Sequence, residues 1–264
     1  MKQINKLHSG FSLVEILVVV STSALLVGLL IPSLQMVRQQ AQRSFCLNNL
    51  RQMALAAQTY STVYDDHYPI AYHTERINGI RHYLAWDFNT WKDWSQADPI
   101  EHVEPGILWM GQMIEKIQQC PVFKGPANWL VDPCTGYNYN TSYIGRDETV
   151  DPVSSARTNG VRCPGQTVLF GDGEYSGGAN KFMRAPFSNP RDASFSDTFR
   201  HAGVQGFRHL HTTNVAFCDG HADFFQKVHI NTDPYSRDIL EEHNRTHQNK
   251  IGFLSEDNRL YDLE

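Results

Sequence analysis

Residues 10–31 are GFSLVEILVVVSTSALLVGLLI, and this stretch decides the class of protein to which the chain belongs. Glu15 is the one charged residue within 11–31, and Lys2 and Lys6 precede the stretch without any acidic residue. At 1.5 Å per residue, a helix over 11–31 is about 30 Å long, which matches the hydrocarbon core of one bilayer. The sequence therefore predicts a single transmembrane helix over residues 11–31.

The helical pattern continues past the apolar stretch as an amphipathic segment over residues 32–64. Pro32 predicts a kink near its start, as prolines produce in membrane helices. Apolar residues then recur at spacings of three and four, the period of one helix face. They are Leu34, Val37, Ala41, Phe45, Leu50, Met53 or Ala54, Ala57, Tyr60 and Tyr64. Polar residues, Asn49 among them, fill the opposite face, so we expect the apolar face to pack on a globular body.

The composition of the whole chain excludes several classes of protein. It has 264 residues, of which 41% are hydrophobic and 19% charged, so a disordered chain is excluded. A net charge of −5 provides no basic field, and the sequence predicts no nucleic-acid partner. A mean hydropathy of −0.42 excludes a protein with many membrane spans.

The residues from Gly10 to Leu17 resemble the N-terminal processing motif of type IV pilins and type II secretion pseudopilins. In that family a prepilin peptidase removes the leader, here residues 1–10, by cutting after the glycine, Gly10. It then methylates the new N-terminus, here Phe11. The resemblance also implies that Glu15 pairs with the free amine of a neighbouring subunit's Phe11 during assembly. A lone carboxylate inside a membrane helix costs roughly 2.5 kcal/mol or more, which favours such a pairing. The alternative is a membrane anchor without such a pairing, whose Glu15 lies at the membrane interface.

A second resemblance extends over nearly the whole chain. CLNNLRQM at 46–53, CPGQTVLFGD at 163–172, and His209 followed after nine residues by Asp219-Gly220 are similar to prepilin-like proteins named for a His-X9-Asp-Gly motif. The implied fold is α+β, with a long and partly transmembrane N-terminal helix packed on a pilin-like antiparallel-sheet head. We place this head, with its long loops, at residues 65–264.

Three strands are predicted in the head, over 167–171, 213–218 and 221–226. Val215 and Phe217 alternate with Ala216 and Cys218, which predicts a half-buried strand. Asp219-Gly220 between two such runs predicts a type I′ hairpin turn. Residues 176–189 are rich in glycine, serine, asparagine and proline, which predicts a surface loop.

Five cysteines leave the disulfide pattern open, because an odd number cannot pair completely. Cys120 and Cys134 flank a loop that contains Gly125 and Pro133, so they are the best candidate pair. Closing that loop would add about 3 kcal/mol. The alternative for Cys46 and Cys218 is a buried thiol.

The histidines near the C-terminus raise the question of a metal. In an extended segment His209 and His211 share one face, and with Asp219 and His221 they provide the ligands of a hydrolytic zinc site. The stronger alternative is structural: Asp219 caps the turn and His209 hydrogen-bonds nearby backbone. No metal ligand is assigned.

Calcium is the other ion considered, since the major pseudopilins of secretion systems hold one in a loop of the head. Asp172, Glu174, Asp219 and Asp223 lie near glycine-containing turns, and carboxylate oxygens suit calcium. Their spacing follows no regular calcium motif, so calcium remains an expectation without assigned ligands.

Trp86, Trp91 and Trp94 crowd one short segment. Exposed, they would stack on a glycan or dock another protein; the more common alternative is that they cover the core.

The sequence thus predicts a pseudopilin-like structural subunit and no catalytic residues. Its expected partners are copies of itself, other pilin-like subunits, a prepilin peptidase and inner-membrane assembly machinery. It would be a single-pass inner-membrane protein with a periplasmic head, assembled into a short pilus-like filament. The alternative is a membrane-anchored head with metal-dependent hydrolase or glycan-binding activity.

Overall fold

The structure is a computed structural model that describes residues 12–96, 98–112, 117–126, 132–146, 155–189, 192 and 197–264. The predicted leader, with Gly10 and Phe11, lies outside the described residues. The chain divides into two units, Met1–Ala41 and Gln42–Glu264. The described residues form an α+β arrangement with a long N-terminal helix and three β-sheets.

Helix α1 spans Leu13–Val63 without interruption at Pro32, so the prediction of one long N-terminal helix is confirmed. Every residue over 12–41 is exposed. Among the described residues, α1 is the one helix long and apolar enough to cross a membrane.

The later part of α1 provides one wall of the head's core. Leu50, Met53, Ala54 and Ala57 are fully buried, as the periodicity predicted. Phe45 is 54% exposed, however, and the buried face begins at Cys46 instead. The buried face of α1 therefore begins one residue later than the periodicity predicted. This shift also buries Asn49, which the pattern had placed on the polar side.

The largest sheet has five strands in the order β10-β9-β6-β5-β7. Their bounds are β5 Asn138–Asn140, β6 Val168–Gly171, β7 Phe182–Met183, β9 Thr213–Phe217 and β10 Ala222–Phe225. The three predicted strands are confirmed as β6, β9 and β10. The pairs are antiparallel except for β5 with β7, which is parallel. The presence of β7 shows that 176–189 is not simply a surface loop.

Strand β9 is buried along its whole length, so the prediction of a half-buried strand is wrong. The side chains of β9 do alternate between the two faces of the sheet. Ala216 packs in the cluster that contains Leu50 of α1, whereas Val215 and Phe217 pack in a second cluster with Tyr261. Both faces of the sheet are covered, so both sets of side chains leave the solvent.

The β9–β10 hairpin is confirmed, but its turn is not type I′. Ala216 pairs with Ala222, and the backbone N–H of Gly220 donates to the carbonyl of Phe217 at 3.0 Å. Only Gly220 in this turn has a positive φ, of 91°, whereas a type I′ turn needs two such residues. Gly220 adopts this positive φ readily, whereas a residue with a Cβ is disfavoured there.

A second, four-stranded antiparallel sheet has the order β1-β2-β3-β4. Its strands are β1 Tyr72–Ile77, β2 Ile80–Ala85, β3 Phe88–Lys92 and β4 Glu101–Pro105. The third sheet pairs β8 Gln205–Phe207 with β11 Lys250–Gly252, and helix α2 Pro234–Thr246 packs beside β11.

Candidate functional site

The first candidate site is the exposed apolar surface of α1. Leu13 is 82% exposed and Leu29 is 70% exposed, and nothing within the described chain covers them. The Glu15 carboxylate accepts a 2.8 Å hydrogen bond from the backbone N–H of Ser12. Glu15 therefore satisfies one of the donors that a helix leaves unpaired at its start.

The second candidate site begins at His209, just after β8. A tight turn closes here, since His209 and Thr212 exchange backbone hydrogen bonds of 3.0 Å in both directions. Leu210 and His211 take the left-handed conformation, with φ of 54° and 62°. The turn leaves His209 only 2% exposed and its Nε2 facing the interior. His211, predicted to share a face with His209, is exposed instead.

Four side chains from distant parts of the sequence converge at this point: Cys46 of α1, Cys120, Asp172 directly after β6, and His209. Their ligand-type atoms all lie within 4.8 Å of one another, and all four side chains are buried. Cys46 Sγ lies 3.5 Å from Cys120 Sγ, and Cys120 Sγ lies 3.5 Å from His209 Nε2. His209 Nε2 in turn lies 3.5 Å from Asp172 Oδ2. We call this group the buried cluster.

Arg208 lies against the buried cluster and supplies its positive charge. Its Nε donates to Cys120 Sγ at 3.4 Å, and its guanidinium lies 3.3 Å from Asp172 Oδ1. The same guanidinium contacts Glu174 at 3.2 Å and donates to the carbonyl of Gly136. A buried guanidinium surrounded by acceptors stabilises negative charge on its neighbours.

These contacts shift the protonation of the cluster. Burial alone would raise the pKa of the Cys120 thiol, but hydrogen bonding from Cys46 and the charges of Arg208 and His209 lower that pKa well below its usual value. The Cys46 thiol, which shares the hydrogen bond with Cys120, has a raised pKa. Burial lowers the pKa of His209, yet the Asp172 carboxylate outweighs burial and raises it to about 9. The surroundings of Cys120 therefore favour the ionised form of its sulfur over that of Cys46.

The partners predicted for His209 lie elsewhere. Asp219 and His221 are partly exposed in the β9–β10 turn and contact each other, with Asp219 Oδ1 2.6 Å from His221 Nδ1. His209 faces Cys120 and Asp172, so the hypothetical site of His209, Asp219 and His221 does not form. His209, Asp219 and His221 are close in sequence but not in space. The turn at His209 directs its side chain into the interior, whereas Asp219 and His221 remain partly exposed.

The four acids considered for calcium do not converge either. Asp172 and Glu174 both contact Arg208, through Asp172 Oδ1 at 3.3 Å and through the Glu174 carboxylate at 3.2 Å, and not the other two acids. Asp219 contacts His221, and Asp223 accepts a hydrogen bond from the adjacent backbone N–H of Phe224.

The predicted Cys120–Cys134 disulfide is not formed. Cys120 is a free thiol that faces Cys46 and His209. The loop still closes near its ends, because the Cys120 backbone N–H donates to the carbonyl of Thr135 at 3.0 Å. A backbone hydrogen bond takes the place of the expected covalent link.

The three tryptophans separate into three environments. Trp86 is buried, and its Nε1 donates to the carbonyl of Lys181 at 3.0 Å. Trp91 stacks between His82 and His102 at ring distances of 4.9 and 5.0 Å. Trp94 is 76% exposed, and with Trp91 it lines an open groove of about 580 Å³.

Two polar residues near the buried cluster, Asn49 and Arg208, were not identified from the sequence. Asn49 is 2% exposed and donates to the Tyr137 hydroxyl at 3.2 Å. Arg208 directly precedes the motif histidine, and this adjacency is the signal that could have identified it. Nothing in the sequence spacing joins Cys46 to Cys120 or to Asp172.

Comparisons with known proteins add no relative. No family model, no curated protein and no solved structure matches this chain.

Proposed function

We propose that this protein is a pseudopilin-like structural subunit, processed after Gly10 and assembled through its N-terminal helix into a short pilus-like filament. The observation that carries the proposal is the contrast along α1. Residues 12–31 expose an almost continuous apolar surface, whereas the same helix buries Cys46, Leu50 and Met53 in the head. One helix thus serves as both a membrane segment and a core element.

An apolar surface of this kind needs a cover, because exposing it to water is unfavourable by about 25 cal/mol per Å². Lipid covers it before assembly, and the helices of sister subunits cover it afterwards. Ala24 and Gly28 are spaced one turn apart, and a Cβ added at Gly28 would meet nothing. Small residues at this spacing allow two membrane helices to approach closely.

The proposed partners follow from this role. A prepilin peptidase would remove residues 1–10 and methylate Phe11, and inner-membrane assembly machinery would extract the subunit from the bilayer. The head would lie in the periplasm. The exposed position of Glu15 near the start of α1 is compatible with pairing to the amine of a neighbouring Phe11.

The experiment is photo-crosslinking in membranes with a photoreactive amino acid at Val20, which is 62% exposed on the apolar surface. We expect a crosslink to a second copy or to another pilin-like subunit. Gly10→Ala is the matched control, because it keeps the same helix but removes the glycine at the cleavage site. Crosslinks that are absent from the wild-type chain, or equally strong in the control, would contradict the proposal.

The groove beside Trp91 favours a second candidate function, the binding of a glycan. Arg81 and Asp93 also line this groove, and an aromatic ring flanked by charged groups suits a sugar. Trp94→Ala should weaken the binding of a soluble oligosaccharide, whereas Tyr235→Ala, at an exposed aromatic outside the groove, should not. Equal binding by both variants and the wild type would remove this candidate.

A further inference from the structure

The buried cluster has the donor set of a closed metal site. It presents two sulfur atoms, one imidazole nitrogen and one carboxylate oxygen, all within 4.8 Å of one another. Four protein ligands of these types are typical of tetrahedral structural zinc sites. Softer sulfur ligands also disfavour calcium and magnesium, which prefer oxygen.

The distances fit ligands around one shared ion and are too long for a disulfide. Zinc–ligand lengths of about 2.0–2.3 Å place tetrahedral ligand atoms about 3.3–3.8 Å apart. Three of the six separations are each 3.5 Å, between Cys46 and Cys120, Cys120 and His209, and His209 and Asp172, and the other three are within 4.8 Å. A disulfide between Cys46 and Cys120 would be far shorter, at about 2.05 Å.

The residues around the buried cluster also fit a bound divalent ion. A divalent ion with two thiolates, one carboxylate and a neutral imidazole carries one net negative charge, and the Arg208 guanidinium, which also contacts Glu174, lies beside it. Arg208 Nε donates to Cys120 Sγ at 3.4 Å, and the backbone N–H of Asn214 donates to Asp172 Oδ2 at 2.7 Å. Hydrogen bonds of this kind orient metal ligands from outside the coordination sphere.

We propose that Cys46, Cys120, Asp172 and His209 together bind one zinc ion, which joins helix α1 to the sheet of the head. With four protein ligands and complete burial, no position is left open for a substrate, so the site is structural. This inference does not depend on the proposed pilin-like function, because all four ligands lie in the unit from Gln42 to Glu264.

The test is metal analysis of the full-length chain, purified in detergent without chelator. We expect about one zinc per chain in the wild type and in Cys163→Ser, the matched control at an exposed cysteine outside the cluster. Cys120→Ser and His209→Gln should bind zinc at least tenfold more weakly. Cobalt chloride added to the metal-free wild-type chain should produce thiolate-to-cobalt charge-transfer bands, a readout that does not depend on whether the variants fold.

Three results would overturn the proposal. The first is a folded wild-type chain that binds neither zinc nor cobalt. The second is zinc that Cys120→Ser and His209→Gln retain at full stoichiometry. The third is recovery of Cys46 and Cys120 as one disulfide-linked peptide pair by mass spectrometry under non-reducing conditions.

Discussion

The Glu15 carboxylate accepts a 2.8 Å hydrogen bond from the backbone N–H of Ser12, at the start of α1. A negative charge at this position also interacts favourably with the helix macrodipole. Glu15 therefore has a role within its own helix in addition to the proposed pairing with a neighbouring Phe11. The two roles have different chemical requirements, because a neutral acceptor meets the first and only a charge meets the second.

Glu15→Gln should separate the two roles. The amide oxygen keeps an acceptor for Ser12, but the variant has no charge to pair with an amine, so we expect normal cleavage after Gly10 and reduced filament assembly. Glu15→Ala, which lacks both, should impair assembly at least as strongly. Crosslinking between α1 helices in membranes measures the effect. Full crosslinking in Glu15→Gln with loss in Glu15→Ala would show that capping, and not charge pairing, is what assembly requires.

Leu50→Ala should destabilise the head by about 2–5 kcal/mol, because it leaves a cavity between α1 and the sheet. Leu50 is fully buried, whereas Leu55 on the same helix is 54% exposed. Leu55→Ala should therefore change the free energy of unfolding by no more than about 0.5 kcal/mol. Denaturant titration followed by tryptophan fluorescence gives both values. Equal losses would mean that the packed face of α1 is assigned incorrectly.

Lys181 is buried with its ammonium 2.8 Å from Asp87 and 2.9 Å from Asp132. Lys181→Met leaves both carboxylates buried without this cation, so we expect a loss of about 3–5 kcal/mol. The control is Lys227→Met, which breaks the exposed pair with Glu256 and should cost no more than about 1 kcal/mol. A loss below about 1 kcal/mol in Lys181→Met would show that solvent reaches the pair.

We expect His243 of α2 to make the stability of the head sensitive to acid. Burial lowers its pKa, helped by the charges of His247 and Lys250. The unfolded chain therefore takes up a proton near pH 6.5 that the folded chain still resists, so this contribution to stability is complete above about pH 6.5 and is lost as the pH falls through the folded pKa.

His243→Phe keeps a ring that can stack on His247 but removes the titrating group. The drop in Tm between about pH 7.5 and 5.5 should be smaller in this variant than in the wild type. His102→Gln, at an exposed histidine of β4, should show the wild-type drop. An unchanged drop in His243→Phe would assign the acid sensitivity to other groups.

Local patterns predicted part of this fold well. A long run of apolar residues followed by a period of three and four specified α1, and Asp219-Gly220 between apolar runs specified the β9–β10 hairpin. The sheet of β1–β4 was missed because its edge strands, β1 and β4, are largely polar and contain no buried residue, as in Glu101–Pro105, and so lack a clear hydrophobic alternation.

Local sequence patterns could not predict the buried cluster, for a different reason. Cys46, Cys120, Asp172 and His209 meet only when α1 packs on the sheet, and sequence separation carries no information on that packing. The candidate partners considered for Cys120 and His209 were therefore sequence neighbours, Cys134 and Asp219, which the structure places in other environments.

Processing of the chain as a pilin-like subunit leaves a defined mature N-terminus, which mass spectrometry identifies. The full-length protein is isolated from the membranes of cells that contain a prepilin peptidase. We expect a chain that begins at Phe11 and carries one added methyl group on its amine. An intact Met1, or a cut after the apolar stretch that ends at Ile31, would contradict it.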